Sequence, residues 1–373
     1  MKINVFLKIV LTGILGGLMV SSCKKNGGPS IDDNILNYKI PEVAVTQDYT
    51  VGAFYYSFGS FNANIKEVPT VGKYAMPNGV ITPASVMSNH IDTASANGID
   101  YFLFQIRSAN KDNGNYKQDS TLVRGFVNAN VSGKMKFALA YNLSTGSYGI
   151  STANPLESDK IKLEQFFQDF ERFVPYFKDA NYMKVNGKTL LYIMNAHQLY
   201  SNNNVPIYDT LRARLSRLGF DMYIVGMQER WSPPARYPFR FKGCVDAIYH
   251  QSYVSSINSW DRYYLLPQMI DQNWKYSKQY FKDSLNVDYV PNISPAYNWL
   301  ILNASSNNPN IGRTDGGALY RQLCNVAKLN ASDQTRLVLI DSWNKWDEDT
   351  QIEPAQSYGD IYVNITHDQF KKK

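Results

Sequence analysis

The stretch Arg336-Leu-Val-Leu-Ile-Asp-Ser-Trp-Asn-Lys-Trp-Asp-Glu-Asp-Thr-Gln-Ile-Glu-Pro-Ala-Gln-Ser-Tyr-Gly359 reads as a strand that ends in chemistry. The apolar run 337–340 has no polar alternation, so it predicts a strand buried on both faces. It stops abruptly and hands over to two tryptophans interleaved with carboxylates, amides and a lysine. Aromatic faces beside carboxylates suit the binding or cleavage of a sugar. A buried parallel strand with polar, aromatic groups at its carboxyl end is the pattern of a barrel mouth.

Working backward, seven more short β-type runs precede this one, at 49–58, 100–106, 136–141, 189–194, 222–227, 245–249 and 289–294. Helical patterns separate several of them. The run 163–177 places Phe166, Phe167, Phe170, Phe173, Val174 and Phe177 near helical spacing. The run 207–218 carries Arg212, Arg214 and Arg217 on polar positions and stops at Gly219. The segment 90–97 ends at Gly98, 261–285 is helical around Pro267, and 319–329 completes the set. Strands alternating with helices predict a parallel sheet, and eight strands predict a single-domain (β/α)8 TIM barrel over 47–373. A doubly wound open sheet is the alternative. No Gly-rich phosphate loop follows an early strand to favour it.

The amino terminus reads differently. Lys2 and Lys8 precede the largely apolar run 9–20, and Val20-Ser21-Ser22 leads to Cys23. This predicts a lipoprotein signal peptide over 1–22, with Cys23 lipidated after cleavage. The polar stretch 23–46, with Gly27-Gly28-Pro29-Ser30, then predicts a flexible tether. The expected location is therefore a membrane surface outside the cytoplasm, periplasmic or at the cell surface, with the anchor as the membrane contact. The apolar run is shorter than the roughly 20 residues of a permanent span. Net charge is +6 over 373 residues without a long basic stripe, which argues against a nucleic-acid partner. Cys244 and Cys324 read as buried thiols. No pair of histidines has metal-ligand spacing, so no metal is expected, and no cofactor motif is present.

In a barrel, the strand ends supply the candidates: Tyr56, Gln105, Arg107, Asn142, Glu229, His250, Tyr253 and Tyr297, then Trp343, Asn344, Trp346, Gln351 and Glu353 as contacts to a glycan. Each has a structural alternative. Tyr56 could line the barrel, Arg107 and Glu229 could be ion-pair partners, His250 a bonded loop residue, and the tryptophans packing. Lys345, Asp347 and Glu348 are the candidates for chemistry.

The pattern Trp343-Asn-x-Trp-x-Glu-x-Thr-Gln-Ile-Glu-Pro354, followed by Tyr358-Gly359, resembles the signature of family 99 glycoside hydrolases, which are endo-α-mannosidases and endo-α-mannanases on (β/α)8 barrels, together with their WbsX-like relatives. Ala53-Phe-Tyr-Tyr56, His90 through Phe102 and Tyr182 through Leu191 are similar in a looser way. The resemblance implies a polysaccharide or glycan as ligand, with α-mannoside-containing chains among the candidates. It implies that Glu348 is the general acid and base on the glycosidic oxygen. The family's other glutamate corresponds to Lys345.

That substitution changes the chemistry. A lysine near its ordinary pKa of about 10.4 is protonated at neutral pH and accepts no proton. Its charge would also favour an ionised Glu348, the wrong state for an acid. Two outcomes follow. Either another group, from Asp347, Asp349, Glu229 or an earlier strand, partners Glu348 in hydrolysis, or the protein binds glycans at its surface without cleaving them. Transfer from a nucleotide sugar fits poorly with export.

Overall fold

The computed structural model describes residues 36–57, 61, 64–74, 83–255, 265–305, 310–313 and 315–373. The expected signal peptide and Cys23 lie outside them. The chain divides into a unit of residues 1–39 and one of 40–373. In the first, the Tyr38 N–H donates to the Leu36 carbonyl at 3.0 Å. All that follows concerns the second.

Ten strands make up its sheet: β1 (Thr50–Tyr55), β2 (Tyr101–Ile106), β3 (Lys136–Asn142), β4 (Lys184–Val185), β5 (Lys188–Met194), β6 (Met222–Gln228), β7 (Ala247–His250), β8 (Asp288–Val290), β9 (Asn292–Ile293) and β10 (Leu337–Ile340). Their order is β8-β7-β6-β5-β3-β2-β1-β10-β9, parallel at every step, with β4 an antiparallel flap on β5. β8 and β9 are two halves of one strand, separated by Pro291. Proline has no N–H for the ladder. The half before it pairs with β7 and the half after it with β10. That strand therefore joins the two ends of the sheet, and the ring closes with eight strand positions.

The helices Ala84–Ala96, Asn113–Ala129, Lys160–Glu171, Asn204–Arg217, Leu266–Tyr280 and Ala318–Asn330 follow the strands and pack outside them, and Ile361–Phe370 completes the chain. Their sequence signals work locally as expected. Gly98 and Gly219 take φ of +77° and +92° just beyond helix ends. The Asp159 carboxylate caps the N–H groups of Ile161 and Lys162. Phe166, Phe167 and Phe170 are buried beneath that helix, each worth about 1.5–3 kcal/mol of apolar transfer.

The pleat decides which strand residues face the barrel axis. Tyr101 and Tyr192 meet there, hydroxyl to hydroxyl at 2.8 Å. Gly52 faces the same space, and a Cβ on it would come within 2.2 Å of the Tyr101 ring. Leu339 pairs with Gly52 and shares its face. Two residues further on, the same face carries Asp341. Gln105 shares the face of Tyr101, four residues earlier on β2, and Ala140 pairs with it, which sets Asn142 inward too.

The segment 40–46, expected as the end of the tether, belongs to the barrel unit. Ile40 and Val45 pack on the core. The Val43 N–H donates to Asn325 Oδ1 at 2.9 Å, and its carbonyl accepts from Lys328 Nζ at 2.7 Å. Val43 and Val45 are half-buried and alternate with exposed Glu42, Ala44 and Thr46, which gives the extended segment one apolar edge.

Candidate active site

The loop after β10 folds back against the barrel so that its residues part into two layers. Trp343, Asn344, Trp346, Gln351 and Glu353 are buried, whereas Lys345, Asp347 and Glu348 reach partial exposure.

The buried layer is scaffold. Trp343 lies between Phe102 and His90, at ring separations of 5.3 and 5.5 Å, in the gap between β2 and the helix Ala84–Ala96. Asn344 clamps the end of β1: its Oδ1 accepts from the Tyr56 N–H at 2.8 Å and its Nδ2 donates to the Tyr56 carbonyl at 3.0 Å. Glu353 is an internal hub. Its Oε1 meets His90 Nε2 at 2.8 Å, and its Oε2 accepts from Tyr74 and from Trp346 Nε1, both at 2.8 Å. Gln351 Nε2 donates to Asp349 Oδ1 and Tyr358 Oη, each at 3.3 Å. These residues were expected to touch a glycan. With side chains 0–2% exposed, they hold the loop instead. The reason is tertiary: the loop packs against the first strand and its helix, so the alternate positions that look aromatic and amphipathic in sequence point inward.

The exposed layer carries the charge. Lys345 Nζ pairs with Glu348 Oε1, and it lies 5.3 Å from the centre of the Tyr56 ring. Burial alone would pull the Lys345 pKa down, but Glu348 and Asp347 outweigh it and the ammonium is held above its ordinary value. Held this way, Lys345 stays a cation and lacks the lowered pKa that a proton-accepting role requires. Asp347 Oδ1 is buried without a hydrogen-bond partner. Asp349, by contrast, is bound by Arg313 Nε at 2.8 Å.

The strand end adds a group that the residue pattern did not single out. Asp341 shares the inward face of Leu339 and lies within electrostatic reach of Glu348 and Lys345. Burial, and then the Glu348 charge, push its pKa up to about 6, with Lys345 and a hydrogen bond from Tyr56 opposing. The Tyr56 hydroxyl stays protonated, raised by burial and then by Asp341 and Glu348. Two carboxyls, one ammonium and one phenol thus share a small volume at the carboxyl ends of β1 and β10. The signal for Asp341 was the period of two along Leu337, Leu339 and Asp341, which becomes meaningful only once Leu339 is known to face inward.

Around this centre, Gln105 and Asn142 stand on inward positions, Asn142 accepting from Asn195 Nδ2 at 3.1 Å. Arg230, on the loop after β6, lies within electrostatic reach of Tyr297 and Glu348. Tyr297 is buried and stacks on Trp299 at 6.3 Å, and the next residue's N–H, from Asn298, donates to the Glu348 carbonyl at 2.7 Å. Other expected contacts are placed elsewhere. Arg107 is bound in a fork by Asp119, at 2.8 and 2.7 Å. Glu229 accepts from Ser232 and Arg236, both at 3.1 Å. His250 points out of the barrel into the helix layer, its Nδ1 on the Tyr289 hydroxyl at 2.8 Å, and burial lowers its pKa to about 3. Tyr253 is 1% exposed and donates to Asn273 Oδ1 at 2.5 Å. His250 is thus a packing residue, because inward-facing Tyr249 fixes the opposite face for its neighbour, and Tyr253, beyond the strand, packs against His250 at a ring separation of 5.3 Å.

A closed parallel (β/α)8 barrel with clustered carboxyls at its carboxyl end defines a glycoside-hydrolase-like protein. The chain belongs to the family described as glycosyltransferase WbsX, whose model matches residues 145–366. A solved structure described as a glycoside hydrolase-like protein is similar at 31% identity and a TM-score of 0.81, covering 92% of this chain and 99% of that one. The family 99 endo-α-mannosidase of Bacteroides thetaiotaomicron shares the fold at 16% identity and a TM-score of 0.60, over 87% of this chain and 97% of that one. No curated protein matches the sequence.

Proposed function

We propose that this protein hydrolyses a glycan at the barrel mouth, with Glu348 acting on the glycosidic bond and Asp341 as its carboxyl partner. The observation that supports this is the meeting of Asp341 and Glu348 around the Lys345 ammonium. Glycoside hydrolysis needs one carboxyl to protonate the departing oxygen and one carboxylate to direct water or attack at the anomeric carbon. Asp341 keeps a proton to higher pH than an ordinary aspartate. Glu348, paired with the Lys345 ammonium, is the second carboxyl of the pair. Lys345 then replaces the family's glutamate not as a base but as the counter-charge that lets two acids coexist. The similarity to endo-α-mannosidases makes α-mannosides the first substrates to try.

The test is release of new reducing ends from mannans and a broader glycan panel. Cleavage by the parent and its loss in Glu348→Gln and Asp341→Asn is the expected result. Cleavage that survives both substitutions would sink the assignment. A second reading is favoured by one contact, the direct Lys345–Glu348 ion pair: a glycan-binding protein with no turnover. Binding without cleavage in the parent, unchanged in Glu348→Gln, identifies that case.

The proposal includes export and lipid attachment at Cys23, supported by the amino-terminal sequence alone. Incorporation of labelled fatty acid into the parent and not into Cys23→Ala is the expected outcome.

A further inference from the structure

Arg230 is the cation near the candidate site without an ion-pair partner among the described residues. Its Nη1 is buried and makes no hydrogen bond. The two carboxylates closest to it in electrostatic effect are already engaged: Glu229 by Ser232 and Arg236, and Glu348 by Lys345. Desolvation lowers the Arg230 pKa, the sign of a charge removed from water without full compensation. Trp231, directly after it, takes φ of +57° and packs edge-on against Tyr253 at 4.5 Å, which fixes where the loop turns. A guanidinium held in a site with an unmet buried donor is incomplete. Leaving such a donor without a partner is unfavourable, the more so for a charged group.

We infer that Arg230 receives an anionic group of the glycan, a uronate carboxylate or a sulfate, so that the ligand is an acidic rather than a neutral polysaccharide. The planar fork of arginine matches both groups in a two-point contact. Asp341 and Asp347 oppose an anion placed over β10, so the acidic substituent seats on the side of the β6 loop, where the carboxylate of Glu229 is drawn away by Arg236. This inference rests on the glycan reading above and narrows it.

The experiment is calorimetric titration of the full chain with matched neutral, uronate-containing and sulfated oligosaccharides, repeated with Arg230→Gln and Arg230→Lys. Thermal melts establish that each variant is folded. Acidic oligosaccharides are expected to bind about tenfold tighter than neutral ones, a difference near that of one charge-assisted contact. Arg230→Gln is expected to erase that preference while neutral binding persists, and Arg230→Lys to keep part of it. The uronate and sulfate arms identify which anion is used. Equal binding of neutral and acidic ligands by the parent, or an acidic preference that survives Arg230→Gln, overturns the inference and leaves the glycan reading standing. Failure of every oligosaccharide to bind overturns both.

Discussion

Lys345 and Glu348 form an ion pair within a single turn of the loop after β10, their side chains 21% and 17% exposed. Both lie within electrostatic reach of Asp341, so one ammonium acts on two acidic groups. This relationship sets what the barrel mouth can do, and its consequences can be measured.

Removing the ammonium should be costly. Lys345→Met leaves Glu348 and Asp341 facing each other without a counter-charge. We expect a loss of about 1–3 kcal/mol in urea unfolding at pH 7, the range of a charge-assisted hydrogen bond. The loss should shrink at pH 4, where Asp341 is protonated. An equal loss at both pH values would contradict the shared-cation picture.

Asp341, partly exposed, and His250, fully buried, give opposing pH dependences. Asp341 has its folded pKa raised from 3.8 to about 6. The folded state thus holds the extra proton, and stability from this group is full below pH 3.8 and is lost as pH rises through about 6. The rise corresponds to about 3 kcal/mol at most. His250 is the reverse, lowered from 6.5 to about 3. Its contribution is present above pH 6.5 and is lost as pH falls toward 3. Asp341→Asn should therefore gain stability relative to the parent between pH 4 and 7, and His250→Gln should flatten the fall below pH 6.5. Chemical denaturation at pH 4, 5.5 and 7 reads both signs.

Glu353 carries a prediction about architecture rather than chemistry. It joins His90, Tyr74 and Trp346, all buried. Glu353→Gln replaces one carboxylate oxygen with an amide NH2 and removes the charge from all three of these bonds. A destabilisation of about 3 kcal/mol is expected, as for a broken buried network. Ligand binding by the folded fraction should be unchanged. A variant as stable as the parent would remove Glu353 from the scaffold.

Gly52 tests the barrel interior. Its missing side chain makes room for the Tyr101 ring, which would stand 2.2 Å from a Cβ atom. Gly52→Ala should destabilise the protein by about 1–3 kcal/mol or more through overpacking. Gly52→Ala combined with Tyr101→Ala should recover part of the loss. Thermal unfolding of the single and double variants checks this.

The eight-strand order was legible because parallel strands buried on both faces read as continuous apolar runs, and 337–340 is the clearest of them. Helix ends were legible because Gly98 and Gly219 mark local backbone geometry. The break at Pro291 was not read, since a strand divided between two neighbours differs from a whole one only in its pairing. The candidate site was legible in part. Glu348 and Lys345 stand in one loop and belong together by adjacency. Asp341 was not singled out, since its inward direction comes from the pairing of Leu339 with Gly52 nearly 290 residues away in sequence. Trp343 and Trp346 were expected at the mouth for the same reason in reverse.

Sequence alone determined the strand periodicity, the family motif and the replacement of a glutamate by Lys345, because these depend on residue type and near-neighbour spacing. The tertiary structure decided which of those side chains meet. It buried the tryptophans, Gln351 and Glu353 as scaffold, turned His250 outward, and drew Asp341, Tyr56, Lys345 and Glu348 into one electrostatic unit. The physical reason is that facing and burial follow from strand pairing and loop packing, and charge interactions follow from distance in space.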